Sequence, residues 1–359
     1  MPVLKSGKNR KIHLEVLRIV AIILVLFHHS DWRGFALFLH RDGITSVVYL
    51  MLSTLCEVAV PIFFMISGGL LLKKDESIKD ILVKRVLKFI IVLFVITVIY
   101  HFYDVMYHNR ALGSFRTVFH AFMTNGASGA LWYMYSYIAL LLLLPFLRNM
   151  VRNITANQYI YLIVLNLIFV GLLPVLSFAL SNGKYYYINT FNVVLANSLS
   201  FFYFLVGHFF ENVVDEEFYN LKNCIRLSVG AIAAIVVCTL LTKRRLQLGL
   251  GFADSTTEGF QYSLVAVPTY AIYAWAKYIF KNFKEPNRFI AIVSHIGQCT
   301  FGIFLLERIL RERTVFIFDW FDGFLPCVIA CFLWIFVIIL IGTAVVSVIK
   351  LIPGVKKYI

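Results

Sequence analysis

From Ile12 onward the chain falls into apolar blocks of helical length, separated by short polar or basic stretches. The blocks run approximately Ile12–Ser30, Ser46–Leu72, Ile81–Tyr103, Gly129–Leu147, Gln158–Leu180, Phe191–Phe210, Cys224–Leu241, Phe260–Phe280, Phe289–Leu310 and Phe324–Ile349. Each approaches or exceeds the ~20 predominantly apolar residues that carry a helix across a bilayer. None shows the ten-residue alternation of an outer-membrane barrel strand. The pattern predicts an all-α, polytopic membrane protein with about ten transmembrane helices in one bundle. Residues 1–359 then form a single membrane domain, with no appended soluble domain expected. No fixed-period repeat, low-complexity tract or matched pair of broken helices suggests an inverted-repeat transporter.

Composition agrees: 60% of residues are hydrophobic and 14% charged, against roughly 45–50% and about 25% in soluble domains. The net charge of +14 raises nucleic acid as a partner. The basic residues, however, are dispersed at block ends rather than gathered in a patch, so membrane topology and lipid contact explain them and no nucleic acid is expected. The basic head (Lys5, Lys8, Arg10, Lys11) resembles the start of a signal peptide, but no small-residue cleavage site follows, and Glu15 and Arg18 interrupt the apolar run. With the N-terminus inside, 21 Lys and Arg fall in inner segments and 11 in outer loops, with Arg18 inside the first helix. This bias predicts both termini in the cytoplasm. Lys243-Arg244-Arg245 violates it, marking either an inverted segment or a basic outer patch for an anionic substrate. The six cysteines read as small buried hydrophobes, with no C-x-x-C and no metal-ligand spacing to a histidine.

Arg18 and His29 are eleven residues apart, so about 20° beyond three full helical turns and roughly 16 Å along the axis. They share one face, from which His28 is displaced by about 80°. Ionisable groups inside a membrane face the protein interior or a watery path and are functional candidates; the alternative is an Arg18 that snorkels and histidines that sit at the outer interface. Glu57 is the carboxylate within the second span. It is expected to orient His29 or to bind a hydroxyl group, unless it is a protonated or Arg-paired structural group. Pro61 predicts a bend and Ser67-Gly68-Gly69 a break, the irregular backbone that lines membrane cavities. His101, His108, His120, His208 and His295 show no partner spacing and are expected at interfaces or in loops.

The R-x10-H pattern of Arg18 and His29, after Leu14-Glu15-Val16-Leu17, resembles the opening motif of the acyltransferase-3 family of integral membrane O-acyltransferases. Ala59 to Leu71, with its proline, aromatic pair and Ser-Gly-Gly, is similar to that family's second helix. Lys84-Arg85-Val86-Leu87-Lys88 resembles its R-x-x-R signature, Leu131-Trp132-Tyr133 its fourth helix, and Ser294 to Glu307 a late helix. Departures are Lys88 where arginine is common, Ala130 where histidine often stands, and Glu307 at another frequent histidine position.

The resemblance implies an acyl-CoA co-substrate, acetyl-CoA above all, and a hydroxyl acceptor on a cell-surface saccharide or lipid-linked glycan, in a bacterial inner membrane. Arg18, Lys84, Arg85 and Lys88 would gather charge for the CoA phosphates. His29, with an ordinary pKa near 6.5, suits a general base, and an acyl-histidine intermediate stays open. Ser67 and Gly68 would flank the thioester arm, and Trp132 and Tyr133, with Tyr135, would wall the passage or form an aromatic belt. Glu307 and Arg311 form an i,i+4 pair expected to be structural, with Glu307 a further site candidate on the acceptor side. No metal is expected. A transporter or flippase for a polar or glycolipid substrate is the alternative, because intramembrane Arg, Glu and His also suit a translocation path. A non-catalytic sensor or assembly partner is the third.

Overall fold

A computed structural model describes residues 11–181, 193–251, 262–281, 283 and 288–358. The basic-head residues Lys5, Lys8 and Arg10, the loop residues Lys184 and Lys284, and the expected span starts at Phe191 and Phe260 lie outside the described residues. The helices are α1 (Ile12–His28), α2 (Gly43–Cys56), α3 (Ala59–Leu71), α4 (Ile78–Ile81), α5 (Leu87–Tyr107), α6 (Phe115–Met123), α7 (Trp132–Asn153) and α8 (Ala156–Asn166). They continue with α9 (Leu173–Leu180), α10 (Val194–Asn197), α11 (Leu199–His208), α12 (Leu221–Gln247), α13 (Ala266–Phe280), α14 (Arg288–Asp322) and α15 (Cys327–Ile349). No strand occurs among the described residues, so the all-α expectation holds.

Among the described residues six helical stretches are long and apolar enough to cross a membrane: Gly43–Leu71, Gly129–Asn153, Ala156–Leu180, Leu221–Gln247, Arg288–Asp322 and Cys327–Ile349. On α12 the residues Ile225, Val229, Ile232, Val236 and Leu240 recur at helical spacing and are exposed. An apolar stripe of this length turned outward fits lipid rather than water. By contrast α1 is enclosed by α3, α13, α14 and α15, with Leu17, Ala21, Ile22 and Leu26 fully buried. Although it carries Glu15 and Arg18, α1 lies inside the bundle among these helices.

The expected second span divides into α2 and α3 at Glu57 and Val58. Proline clashes with the carbonyl four residues earlier, which for Pro61 is that of Glu57, so the bend falls where sequence places it. The expected break at Ser67-Gly68-Gly69 does not occur, because α3 runs unbroken to Leu71. Gly68 instead faces the Phe204 carbonyl of α11, and Gly207 of α11 faces the Met65 backbone, each so closely that a Cβ would overlap it. The glycines bring two helix backbones together as small residues do in membrane interfaces.

Two further expectations are corrected. Helix α14 does not end near Leu310 but continues to Asp322, so Glu307, Arg308 and Arg311 stand mid-helix rather than at an outer end. Its extension is anchored by Trp334, whose indole donates to Thr314 Oγ1 at 2.9 Å. His208 is not interfacial: it is buried in α11, 2.9 Å from the Tyr159 hydroxyl. The six cysteines are free and five are buried, as expected. Within Lys243-Arg244-Arg245, the Arg245 guanidinium folds back to donate to the Gly251 and Leu250 carbonyls at 3.2 and 3.3 Å. That ties down the turn following a continuous α12, at the end of the helix where its dipole favours cations.

Candidate active site

A cavity of about 440 Å³ runs along α1. One end opens near the loop between α3 and α4, where Lys74 and Arg85 line it, and the other reaches His28, His29, Cys56 and Glu57. Arg18 and His29 both line this space, so the shared-face geometry holds. His28 lines it too, against the expectation that it turns aside. His28 is the last residue of α1 and His29 its C-cap, at φ −85° and ψ 7°, and the end of the cavity takes in both rings. Their centroids are 5.4 Å apart at 76°.

Each histidine faces its own carboxylate. His28 Nδ1 lies 3.4 Å from Glu57 Oε1, and His29 Nδ1 lies 3.3 Å from Glu307 Oε2. Both are ion-pair distances rather than aligned hydrogen bonds. The expected pairing of Glu57 with His29 is therefore replaced by Glu307 with His29. Glu307 side-chain exposure is 2%, and its Oε2 accepts from Arg311 Nε at 2.8 Å. The i,i+4 contact is present as the spacing predicts, and it also fixes the carboxylate that faces an imidazole. His28 Nδ1, Cys56 Sγ and a Glu57 oxygen come within 4.8 Å of one another, a grouping hidden in sequence by the 28-position separation of His28 and Cys56.

Arg18 Nη1 donates to Glu15 Oε1 at 2.7 Å. Gly297 of α14 makes room for that carboxylate, since a Cβ there would overlap the Glu15 side chain. Around the middle of the cavity Phe63, Phe89, Tyr133, Tyr137, Phe301 and Phe304 form an aromatic sleeve. Tyr133 packs 4.8 Å from Phe64 and 5.6 Å from Phe304, centroid to centroid. Trp132 and Ser67 line the passage, as expected. Tyr135 does not, for its hydroxyl donates to the Phe122 carbonyl. Gly68 is turned to α11 rather than to the passage.

At the mouth the four-cation expectation divides. A π turn over Leu82–Val86 changes the angular step, and Arg85 reaches the lining while Lys84 is 73% exposed and paired with Asp80 at 2.7 Å. Lys88 lies over the Phe89 ring at 5.7 Å, outside the lining. Lys74 takes a place at the mouth that sequence reading overlooked; burial and the neighbouring Arg85 hold its ammonium below the usual lysine range. Glu76 accepts from Arg85 at 2.5 and 2.8 Å and from Arg148 at 2.8 Å. Arg148 in turn donates to the Leu71 carbonyl at 3.1 Å, capping α3.

A second cavity of about 380 Å³ adjoins the far end, lined by His29, Ala130, Glu307, Arg308, Arg311 and Arg110 together with residues 126–129. His29 and Ala130 line both spaces. The two cavities thus meet at one imidazole. Against this geometry, a family model described as an acyltransferase domain matches residues 12–352. The chain belongs to the acyltransferase-3 family. No curated protein and no solved structure matches it. Family membership makes it a multi-pass membrane O-acyltransferase, transferring acyl groups other than aminoacyl groups, and decides for the enzyme over the transporter. The family's opening motif corresponds here to Arg18 at mid-cavity and His29 at the junction. Glu15, Lys74 and Glu76 had only local charge spacing as a signal, and the partnership of Glu307 with His29 had none.

Proposed function

We propose that the protein transfers an acyl group, acetyl from acetyl-CoA above all, to a hydroxyl of a cell-surface saccharide or lipid-linked glycan in a bacterial inner membrane. The observation that carries this reading is the meeting of two cavities at His29, one with cations at its mouth and the other reaching away along α14. With the N-terminal end of α1 in the cytoplasm, CoA phosphates meet the Lys74 ammonium and the weakly hydrated Arg85 guanidinium, both of which pair with phosphate. The narrow thioester arm follows the aromatic sleeve past Arg18, and the acceptor hydroxyl enters from the second cavity.

In the reaction, the imidazole nitrogen of His29 opposite Nδ1 removes the hydroxyl proton as the oxygen attacks the thioester carbonyl. The carbon–sulfur bond breaks, the new ester forms, and the imidazolium returns the proton to the departing thiolate. Glu307, held by Arg311, orients the ring and stabilises the imidazolium, a division of labour familiar from carboxylate–histidine pairs. Direct transfer suits two substrates that arrive from opposite sides of one base, with no covalent enzyme intermediate needed.

The test is thiol release from acetyl-CoA by the purified protein in lipid, with a crude glycan extract as acceptor. Acceptor-dependent release that survives His28→Ala and disappears in His29→Ala is the expected result. No release from folded wild type with several acyl-CoAs and acceptors overturns the donor and acceptor assignment, and equal activity of both variants removes His29 as the base.

A further inference from the structure

The second cavity carries information about what it binds. Three guanidinium groups line it, Arg110, Arg308 and Arg311, against the single lining carboxylate of Glu307. Among the described residues no aromatic side chain other than the imidazole of His29 is in the lining, whereas a neutral sugar face is commonly held by a ring that stacks against its C–H groups. The three arginines differ in how far their donors are engaged. Arg308 is consumed by the fold: Nη2 meets Asp104 at 2.5 Å, Nε meets Glu312 at 3.0 Å, and Nη1 donates to the Ala127 carbonyl at 3.1 Å.

Arg311 reaches Glu307 through Nε alone among the described residues. Both of its Nη groups remain for a ligand. Arg110 meets Asp104 Oδ2 through Nη1 at 3.0 Å and is 63% exposed, which leaves its other edge turned outward. Asp104 is shared between Arg110 and Arg308 and also faces His108 Nδ1 at 3.0 Å, so one carboxylate serves both guanidinium groups and an imidazole. Gly129, also in the lining, has open space where a Cβ would stand.

Resting on the acyl-transfer reading of His29, we infer that the acceptor is an anionic saccharide. Its phosphate or carboxylate is held by Arg110 and Arg311 while a neighbouring hydroxyl faces His29. Guanidinium forks match both anions through paired N–H donors, and a charge fixed beside the imidazole sets which hydroxyl is presented. Arg308, neutralised by Asp104 and Glu312, keeps the wall in place and leaves the anion to Arg110 and Arg311.

The experiment uses the full chain in lipid nanodiscs with three probes: glucose, glucuronate and glucose 6-phosphate. Binding is measured by calorimetry, and acceptor KM by thiol release from acetyl-CoA. At least one charged probe is expected to bind tenfold or more tighter than glucose. Arg110→Gln should weaken that probe about tenfold and leave glucose unchanged, Arg110→Lys should recover part of the loss, and Arg116→Gln, an exposed cation on α6 outside the cavity, should change nothing. Preference between the charged probes separates a phosphate-bearing from a uronic acceptor. Failure of both charged probes to bind, or binding no tighter than glucose, overturns the inference. Charged-probe binding without thiol release from any acyl-CoA leaves the anion site standing and sinks the acyl-transfer reading instead.

Discussion

At the mouth of the long cavity Glu76 stands between Arg85 and Arg148 on a short loop, whereas at the far end Glu307 stands beside Arg311 within one 35-residue helix. Both are carboxylates clamped by guanidinium. Glu76 is 27% exposed and can be exchanged for another anion by a small movement of the loop; Glu307 is 2% exposed and is tied to its own helix. A carboxylate that a ligand's phosphate can displace suits a place where substrates come and go. One that cannot be displaced suits the orientation of a reacting imidazole. The mouth should therefore govern donor KM and the far end kcat.

The largest expected effect is on His29. His29→Ala should lower kcat for acyl transfer by about 10²–10⁴-fold, the usual worth of a general base, with donor KM nearly unchanged; a variant that instead changes only KM breaks the division between the two ends. Glu307→Gln comes next. Loss of a charged partner costs about 1.5–3 kcal/mol, so thiol-release kinetics should show kcat down roughly 10- to 100-fold. Glu57→Gln, whose partner is His28, should cost less than Glu307→Gln, and the reverse order would return Glu57 to the role expected from sequence. At the mouth, Arg85→Ala should raise acyl-CoA KM about tenfold while leaving kcat intact, as loss of one charge-assisted phosphate contact implies. Lys84→Ala, whose ion pair is solvent-exposed, should change KM less than about twofold.

How far these ends could be read in advance follows from which distances are local. Arg18 and His29 lie on one helix, so turn counting brings them to the same space. The Pro61 bend was legible for the same reason, since proline acts on a carbonyl four residues away. The partners of His28 and His29 were not legible, because Glu57 and Glu307 come from other helices and α1 terminates between the two histidines. Gly68 misled: sequence marks a glycine as permissive, but only the packing of α11 shows that this one serves a backbone contact. Lys84 and Lys88 misled through the π turn, which alters the phase of a helix that charge spacing assumes to be regular.

The smallest effect concerns the loop clamp itself. The bonds from Arg85, followed by those from Arg148, hold the Glu76 carboxyl down to about 2 from an ordinary 4.5, against the opposing effect of burial. Between those values the unfolded chain binds more protons than the folded one, so the clamp's stabilisation is fully present above about pH 4.5 and is lost as pH falls through about 2. Because the carboxylate is partly solvated, that contribution should be under about 1 kcal/mol. Glu76→Gln should accordingly melt slightly below wild type at pH 7 in lipid, with the gap closing as the medium is acidified from 4.5 toward 2. The same variant frees Arg85 from its internal anion, so acyl-CoA KM at pH 7 should fall. A KM that rises instead would mean that Glu76 positions Arg85 for the donor rather than competing with it, and the contrast between an exchangeable mouth and a fixed far end would no longer stand.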